Sequence, residues 1–248
     1  MFTPGNLLSA GFSSPKPTDM AETQSPKELL MGLIRERSTT KQDVYAATRD
    51  TFAQLKEVLK EVVDEIKEDF GETDPRVQFA FTDRGEFEAE IKIAGDVLFF
   101  YMHTNVFQFD RSHSVWKSSY LQDDELNGYV GVVNVYNFLA DSLKYQRMHD
   151  RGYLIARLFV NREKHFLVQG KRQLSYLFND FLNAEMSPQK MREFVLSSII
   201  YTLGFDLYAP PYQEVQEVSV AEIEAMSQHL KVATGKRLGF KFSFDDEG

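Results

Sequence analysis

Residues 76–120 read RVQFAFTDRGEFEAEIKIAGDVLFFYMHTNVFQFDRSHSVWKSSY. From Phe87 to Ile93 apolar and charged residues alternate without a break, the pattern of an antiparallel strand with one face buried and one in water. Asp83-Arg84-Gly85 is a turn signal that joins this strand to Val77–Phe81, and Ala94-Gly95-Asp96 joins it to Val97–His103. The last strand, VLFFYMH, is apolar on both faces and belongs in the middle of a sheet. The block predicts an antiparallel meander that runs into a dense polar cluster containing Asp110, Arg111, His113, Trp116 and Lys117.

Upstream, the pattern predicts a long helix from Lys41 to Phe70. Thr40 stands at the cap position with Asp43 three residues on, and Gly71 stands at the end. Phe52, Leu55, Leu59, Val62 and Ile66 recur at three- and four-residue spacing and form one apolar stripe. Such a stripe packs lengthwise on a sheet or, read as a heptad-like seam, forms an interface with a second copy. Residues 1–38 read as a flexible arm. Its first part is rich in Ser, Thr, Pro and Gly with little to bury, and Glu28–Ile34 is a short amphipathic turn.

Downstream, Asp123–Gly128 reads as a loop and Tyr129–Tyr136 as a strand, or as the start of a helix reaching Leu143. Tyr153–Val160 and His165–Val168 form a hairpin, so the sheet is expected over residues 76–169. Helices follow over 172–232. One covers Leu174–Leu182, and a second has Ser187 as cap and Pro188 at its first position and stops at Gly204. A third opens with the capping box Ser219/Glu222. A closing strand is expected over 237–244, where Leu238–Phe244 alternates. Strands and helices are segregated, which predicts a single α+β domain over 39–248.

Composition narrows the function. The chain has 248 residues, 43% of them hydrophobic, enough for a substantial core, and 21 Phe against one Trp make phenylalanine its main filler. The net charge of -9 counts against nucleic acid as a partner, since backbone binding relies on clustered Lys and Arg. Arg162, Lys164, His165, Lys171 and Arg172 are the nearest approach to a basic patch. The absence of cysteine excludes disulfides, thiolate zinc sites and a cysteine nucleophile. It fits a reducing compartment, and the first twenty residues lack the pattern of a secretory signal, so the expected location is the cytoplasm. No apolar run approaches the roughly 20 residues of a membrane span, and no membrane partner is expected.

Three chemistries can be laid on these residues. Asp83, Glu90 and Lys92 give an acidic residue followed by Glu-x-Lys on a hairpin, in which two carboxylates would hold a magnesium ion and the lysine would steady a water. This order resembles the PD-(D/E)xK nuclease core, including the helix before the hairpin. The resemblance implies a metal-dependent nuclease-like hydrolase. Asp83 in the turn and a short spacing depart from that pattern, and the solvent face of an amphipathic strand accounts for Glu88, Glu90 and Lys92 without chemistry.

Histidines offer the second chemistry. His103, His113, His149 and His165 are candidates, and Asp110-Arg111-Ser112-His113 could set an imidazole against a carboxylate for acid-base work or for holding a small ligand. The spacings give no His-Glu-x-x-His metal motif and no Gly-x-Ser-x-Gly elbow. The third chemistry is calcium: Asp123, Glu125, Asn127 and Gly128 mimic the start of an EF-hand loop, but Asn134 stands where its bidentate glutamate belongs. Phosphate-binding glycine loops are missing as well.

The reading that remains is a non-catalytic, cytoplasmic binding or assembly module that associates with itself or another protein. It needs no metal and no cofactor, and the surface from Asp110 to Lys117 is its expected ligand or partner site.

Overall fold

The computed structural model describes residues 25–148, 150–204, 207–208, 217, 219–221 and 240–241. The chain divides into two compact units, residues 1–38 and 39–248. In the first, the amphipathic turn is a helix, α1 (Pro26–Leu33). The Ser25 hydroxyl accepts from the Glu28 N–H and the Glu28 carboxylate accepts from the Ser25 N–H, with Pro26 in the first turn. Leu29, Leu30, Met31 and Leu33 are all exposed on it, as is Ile34 at its C-cap.

The second unit is an α+β fold, as its segregated pattern predicts. It opens with α2 (Thr39–Phe70), which ends at Gly71 in the left-handed region (φ 56°) that a side chain would strain. Thr40 lies inside this helix and not at its cap, and it is buried. Strands β1 (Phe79–Asp83), β2 (Glu88–Ile93) and β3 (Asp96–Met102) form the expected meander, followed by β4 (Phe107–Gln108). A short helix α3 (Ser119–Asp123) precedes β5 (Tyr129–Leu139). That strand is longer than the sequence indicates and is followed at once by α4 (Ala140–Lys144).

Strands β6 (Tyr153–Val160) and β7 (Phe166–Gly170) complete an antiparallel sheet in the order β1-β2-β3-β5-β6-β7. The short β4 continues the line of β3 along the same edge of β5. As VLFFYMH indicates, β3 is central, flanked by β2 and β5.

The helical region past residue 172 is thinner than expected among the described residues. Helix α5 covers only Gln173–Tyr176. The chain beyond it turns to satisfy the outer edge of β7, where Val168 N–H donates to the Phe178 carbonyl and Phe166 N–H to that of Ala184. A backbone needed at a sheet edge cannot also close helical bonds, which is why the Leu174–Leu182 helix is cut short. Helix α6 (Pro188–Leu203) starts as expected, with the Ser187 hydroxyl accepting from Lys190 N–H. All but the opening residues of the third helix (219–221) and most of the closing strand lie outside the described residues. Of that strand, β9 (Phe240–Lys241) pairs in parallel with β8 (Leu207–Tyr208), apart from the seven-stranded sheet.

The main core lies between α2, α6 and one face of the sheet. Phe52, Leu55, Leu59 and Val62 of α2 meet Ala89, Ile91, Leu98, Phe100, Val133 and Leu158 there, with Phe194 and Val195 of α6. The apolar stripe expected as an interface is therefore consumed inside the chain's own fold: its first four members are buried and Ile66 packs at the margin. The correction has a plain cause. A 3.6-residue apolar stripe needs cover, and the sheet beside it has an equally long apolar face.

A smaller core lies on the opposite face, at one end of the sheet. It joins Phe109, Leu121, Val130, Leu167 and Phe181, with Trp116, Tyr120 and Phe159 against it. The rest of that face is bordered by α4 through Leu143, and no longer helix lies over it among the described residues.

Candidate functional site

The register sets out the uncovered face in rows. Glu90, Phe99 and Tyr136 lie across from one another in one row, and Glu88, Tyr101, Asn134, Arg157 and Gln169 in the next. Alternation along β3 and β5 thus puts Phe99 and Tyr101 beside Tyr136 and Phe138, all of them half-buried. With Leu143 they line an open groove of about 360 Å³ whose lining is apolar. At its end Phe138 lies flat against Gly152, where a Cβ would come within 2.3 Å of the ring. A register shift between Val135 and Tyr136 leaves Ile155 of β6 without a partner, a bulge placed at the floor of the groove.

Tyr136 also lines a second groove of about 620 Å³. Its floor is the polar row Asn134–Arg157–Gln169, in which Arg157 Nη1 donates to Gln169 Oε1 at 3.2 Å. Its walls carry His103, Phe107, Asp110 and His113. The two imidazoles are held alike. His103 Nδ1 accepts from Asn105 N–H at 3.0 Å, and His113 Nδ1 accepts from Val115 N–H at 3.3 Å. The neutral form of each ring therefore carries its proton on Nε2. Edge contacts with Tyr101 (6.1 Å) and Phe107 (4.9 Å) fix His103, and a stacked contact with Phe109 (5.1 Å) fixes His113.

Of the polar cluster from Asp110 to Lys117, Asp110 and His113 line this groove while Arg111, Trp116 and Lys117 do not, and most of the cluster's polar groups are bonded locally. Asp110 Oδ1 accepts from the Ser112 hydroxyl at 2.6 Å and from its N–H at 2.8 Å. Those two bonds, with His113 nearby, hold the Asp110 carboxyl below the usual carboxylate range. The carboxylate thus turns to Ser112 and the imidazole Nδ1 to Val115, which replaces the carboxylate–imidazole pair the sequence suggested. Trp116 Nε1 donates to the Asp110 carbonyl at 2.9 Å, and its ring packs against Gly128, where a Cβ would approach within 2.5 Å. Arg111 lies over that ring, 4.1 Å from its centre, and pairs with Glu125 at 2.7 Å. Lys117 ends the short helical turn Ser114–Lys117 and is exposed.

The nuclease constellation does not assemble. In the β1–β2 register Asp83 pairs with Ala89, a core-facing position, while Glu90 pairs with Thr82 on the other face. Side chains on opposite faces of a sheet cannot share a metal ion. Each member has its own partner: Asp83 accepts from Lys56 Nζ at 3.0 Å, Glu90 from Arg84 Nε at 2.7 Å, and Lys92 donates to Gln78 at 2.8 Å.

The N–H of Gly85, followed by the Lys56 ammonium, holds the Asp83 carboxyl below its ordinary value. A carboxyl depressed in the folded state stabilises above its unfolded pKa of about 3.9, and that contribution is lost as the pH falls through the folded value. The melting temperature of Asp83→Asn should therefore fall below wild type at neutral pH and converge on it in strong acid. Parallel thermal melts across the acid range check this, and a gap that stays constant would refute it.

Elsewhere, two of the five residues that come nearest to a basic patch, Arg162 and His165, are engaged by neighbours. Arg162 pairs with Asp124 at 2.5 Å, and His165 stacks on Tyr120 at 4.5 Å while its Nδ1 bonds the Phe181 carbonyl at 2.9 Å. Buried Asn161 ties this network together, accepting from the N–H of Glu163 and of His165 and donating to Tyr120 Oη. Burial, with Glu163 accepting the phenol proton, pushes Tyr120 well above the ordinary tyrosine range. The bonds from Asn161 to Tyr120 and from Arg162 to Asp124 clamp the β6–β7 turn to the α3 segment. His149 lies outside the described residues.

The sequence reading brought Asp110 and His113 to the groove and missed its floor: Phe99, Tyr101, Asn134, Tyr136, Phe138, Arg157 and Gln169. The available signal was the aromatic alternation on the second face of VLFFYMH and VNVYNF. Among the described residues no helix is long and apolar enough to cross a membrane, and no cluster of three or more His, Asp or Glu is arranged to hold a metal. The chain matches no protein-family model, and neither a curated protein nor a solved structure shows significant similarity to it.

Proposed function

We propose that this chain is a non-catalytic, cytoplasmic binding module that takes a small ligand on the open face of its sheet. One observation carries the reading: two grooves with aromatic walls meet at Tyr136 around a single polar row, Asn134–Arg157–Gln169. Concave, largely apolar surfaces with a few convergent polar groups are where proteins hold small molecules. The polar cluster supports binding over acid-base catalysis, because Asp110 and both imidazole Nδ1 atoms are occupied by local donors. The cysteine-free composition supports the location.

A thermal-shift screen of small molecules on wild type and Tyr136→Ala tests the proposal. Compounds that raise the wild-type melting temperature should lose most of that shift in the variant, which removes the ring shared by both grooves. Equal shifts in the two proteins would place binding elsewhere.

Self-association is the second reading, and it now rests on α1, where four apolar side chains stand exposed on one short helix and Ile34 follows at its C-cap. Light scattering on wild type and Leu30→Glu is the measurement. The expected result is an oligomer in wild type that the charge dissolves; a wild-type monomer removes the reading.

A further inference from the structure

We infer that the ligand of the sheet-face groove is an amphipathic monocarboxylate, its head on Arg157 and its apolar body across Tyr136 onto Phe99 and Phe138. This rests on the binding reading above and adds the ligand's chemical class.

Arg76, Arg84, Arg111, Arg147, Arg162 and Arg192 each face a carboxylate, on Asp74, Glu90, Glu125, Asp150, Asp124 and Glu65 respectively. Arg157, like Arg35, Arg37 and Arg151, faces no carboxylate among the described residues, but of these four it is the one in a sheet strand, bonded to the neutral Gln169 amide. It lies in the one row of the open face that is polar across three strands, between Asn134 and Gln169. A guanidinium presents a planar fork of donors that matches a carboxylate. The ring protons on His103 and His113 Nε2 add donors on the same groove. Asp110 is the carboxylate on the wall, and Ser112 already supplies it with two donors. The balance of groups favours one negative charge on the ligand.

The neighbouring groove fixes the other end. It is reached over Tyr136, which lines both, and its lining of Phe99, Tyr101, Phe138 and Leu143 is predominantly apolar and carries no charged group. A second charge placed there would find no partner and would displace water from aromatic surface at a loss, so the body is apolar. The ligand thus has one acidic end and one apolar end.

Calorimetric titration of the full chain with 2-naphthoate and with 2-naphthylmethanol, the same body without the charge, tests this. Wild type should bind the acid about tenfold more tightly than the alcohol, the scale of one charge-assisted hydrogen bond at a partly exposed site. Arg157→Gln should level the two affinities. Phe138→Ala should weaken both compounds alike and keep their ratio. Arg157 and Phe138 are surface-accessible, and circular dichroism with a thermal melt establishes that each variant is folded. Equal affinities in wild type, an unchanged ratio in Arg157→Gln, or no saturable binding of either compound would overturn the assignment. Equal binding that Phe138→Ala still weakens would overturn the carboxylate alone and leave the groove as a binding site. Binding indifferent to both Phe138→Ala and Tyr136→Ala would overturn both.

Discussion

Leu59→Glu is expected to unfold the protein instead of separating two copies of it. Leu59 is fully buried in the middle of α2, within the cluster formed by the helix, the sheet and α6. Removing a buried leucine side chain costs about 2–5 kcal/mol through lost burial and the space left behind. A carboxylate in the same place adds several kcal/mol, whether it stays charged without a partner or takes up a proton to avoid it. The sum is comparable to the whole stability of an ordinary domain, about 5–15 kcal/mol. Far-UV circular dichroism and a thermal melt should show no cooperative transition, or one far below wild type. Ile66→Glu is the internal comparison. Ile66 sits at the margin of the same stripe and is partly exposed, so a carboxylate there can reach water and the loss should be much smaller. A well-folded Leu59→Glu monomer derived from an oligomeric wild type would show that the stripe is an interface and that the packing described above is wrong.

That stripe also shows what a single sequence can express. Periodicity in Phe52–Ile66 identifies a buried helical face, and it says nothing about whether the cover comes from the same chain. The answer depends on β2, β3 and β5 presenting a matching face, a contact between residues far apart in sequence. Alternation made Phe87–Ile93 legible in full, because one face is charged and the other apolar. VLFFYMH was placed correctly at the centre, but its second apolar face carried no reading of its own. Half of that face, Phe99 and Tyr101, is groove wall. Pattern alone cannot separate an aromatic buried in a core from one lining an open surface, since both are favoured by the same area. Arg157 was hidden for a related reason. In YLIARLFV it reads as one polar residue on a strand, and its meaning comes from Asn134 and Gln169 on the two neighbouring strands. The Asp110–Lys117 cluster was visible as chemistry, whereas its internal bonding, Asp110 to Ser112 and Trp116 to the backbone, belongs to loop geometry that spacing does not encode.

Gly131→Ala is the second large effect, and it probes how closely α2 lies on the sheet. A Cβ built on Gly131 would stand 2.1 Å from Thr48 Oγ1 and 2.7 Å from both Thr48 Cβ and Cγ2. Thr48 is buried and short, and its hydroxyl already donates to the Val44 carbonyl at 2.7 Å. It has no long side chain to swing aside, so the helix or the strand must move. Neither can move alone: α2 is fixed by Phe52, Leu55 and Leu59 in the core, and β5 is bonded to strands on both edges. Overpacking of this kind costs about 1–3 kcal/mol, with the upper end expected where backbone must shift. In a domain of this size each kcal/mol lowers the melting temperature by roughly 2–4 °C. A drop of about 6–12 °C is therefore expected in a thermal melt. The double variant Gly131→Ala/Thr48→Gly decides the mechanism. It removes all three clashing atoms at the expense of about 1 kcal/mol for glycine in a helix, so it should be more stable than Gly131→Ala alone. If Thr48→Gly instead adds its own loss to that of Gly131→Ala, the two residues are not in contact, and the close approach of α2 to β5 at this point is refuted.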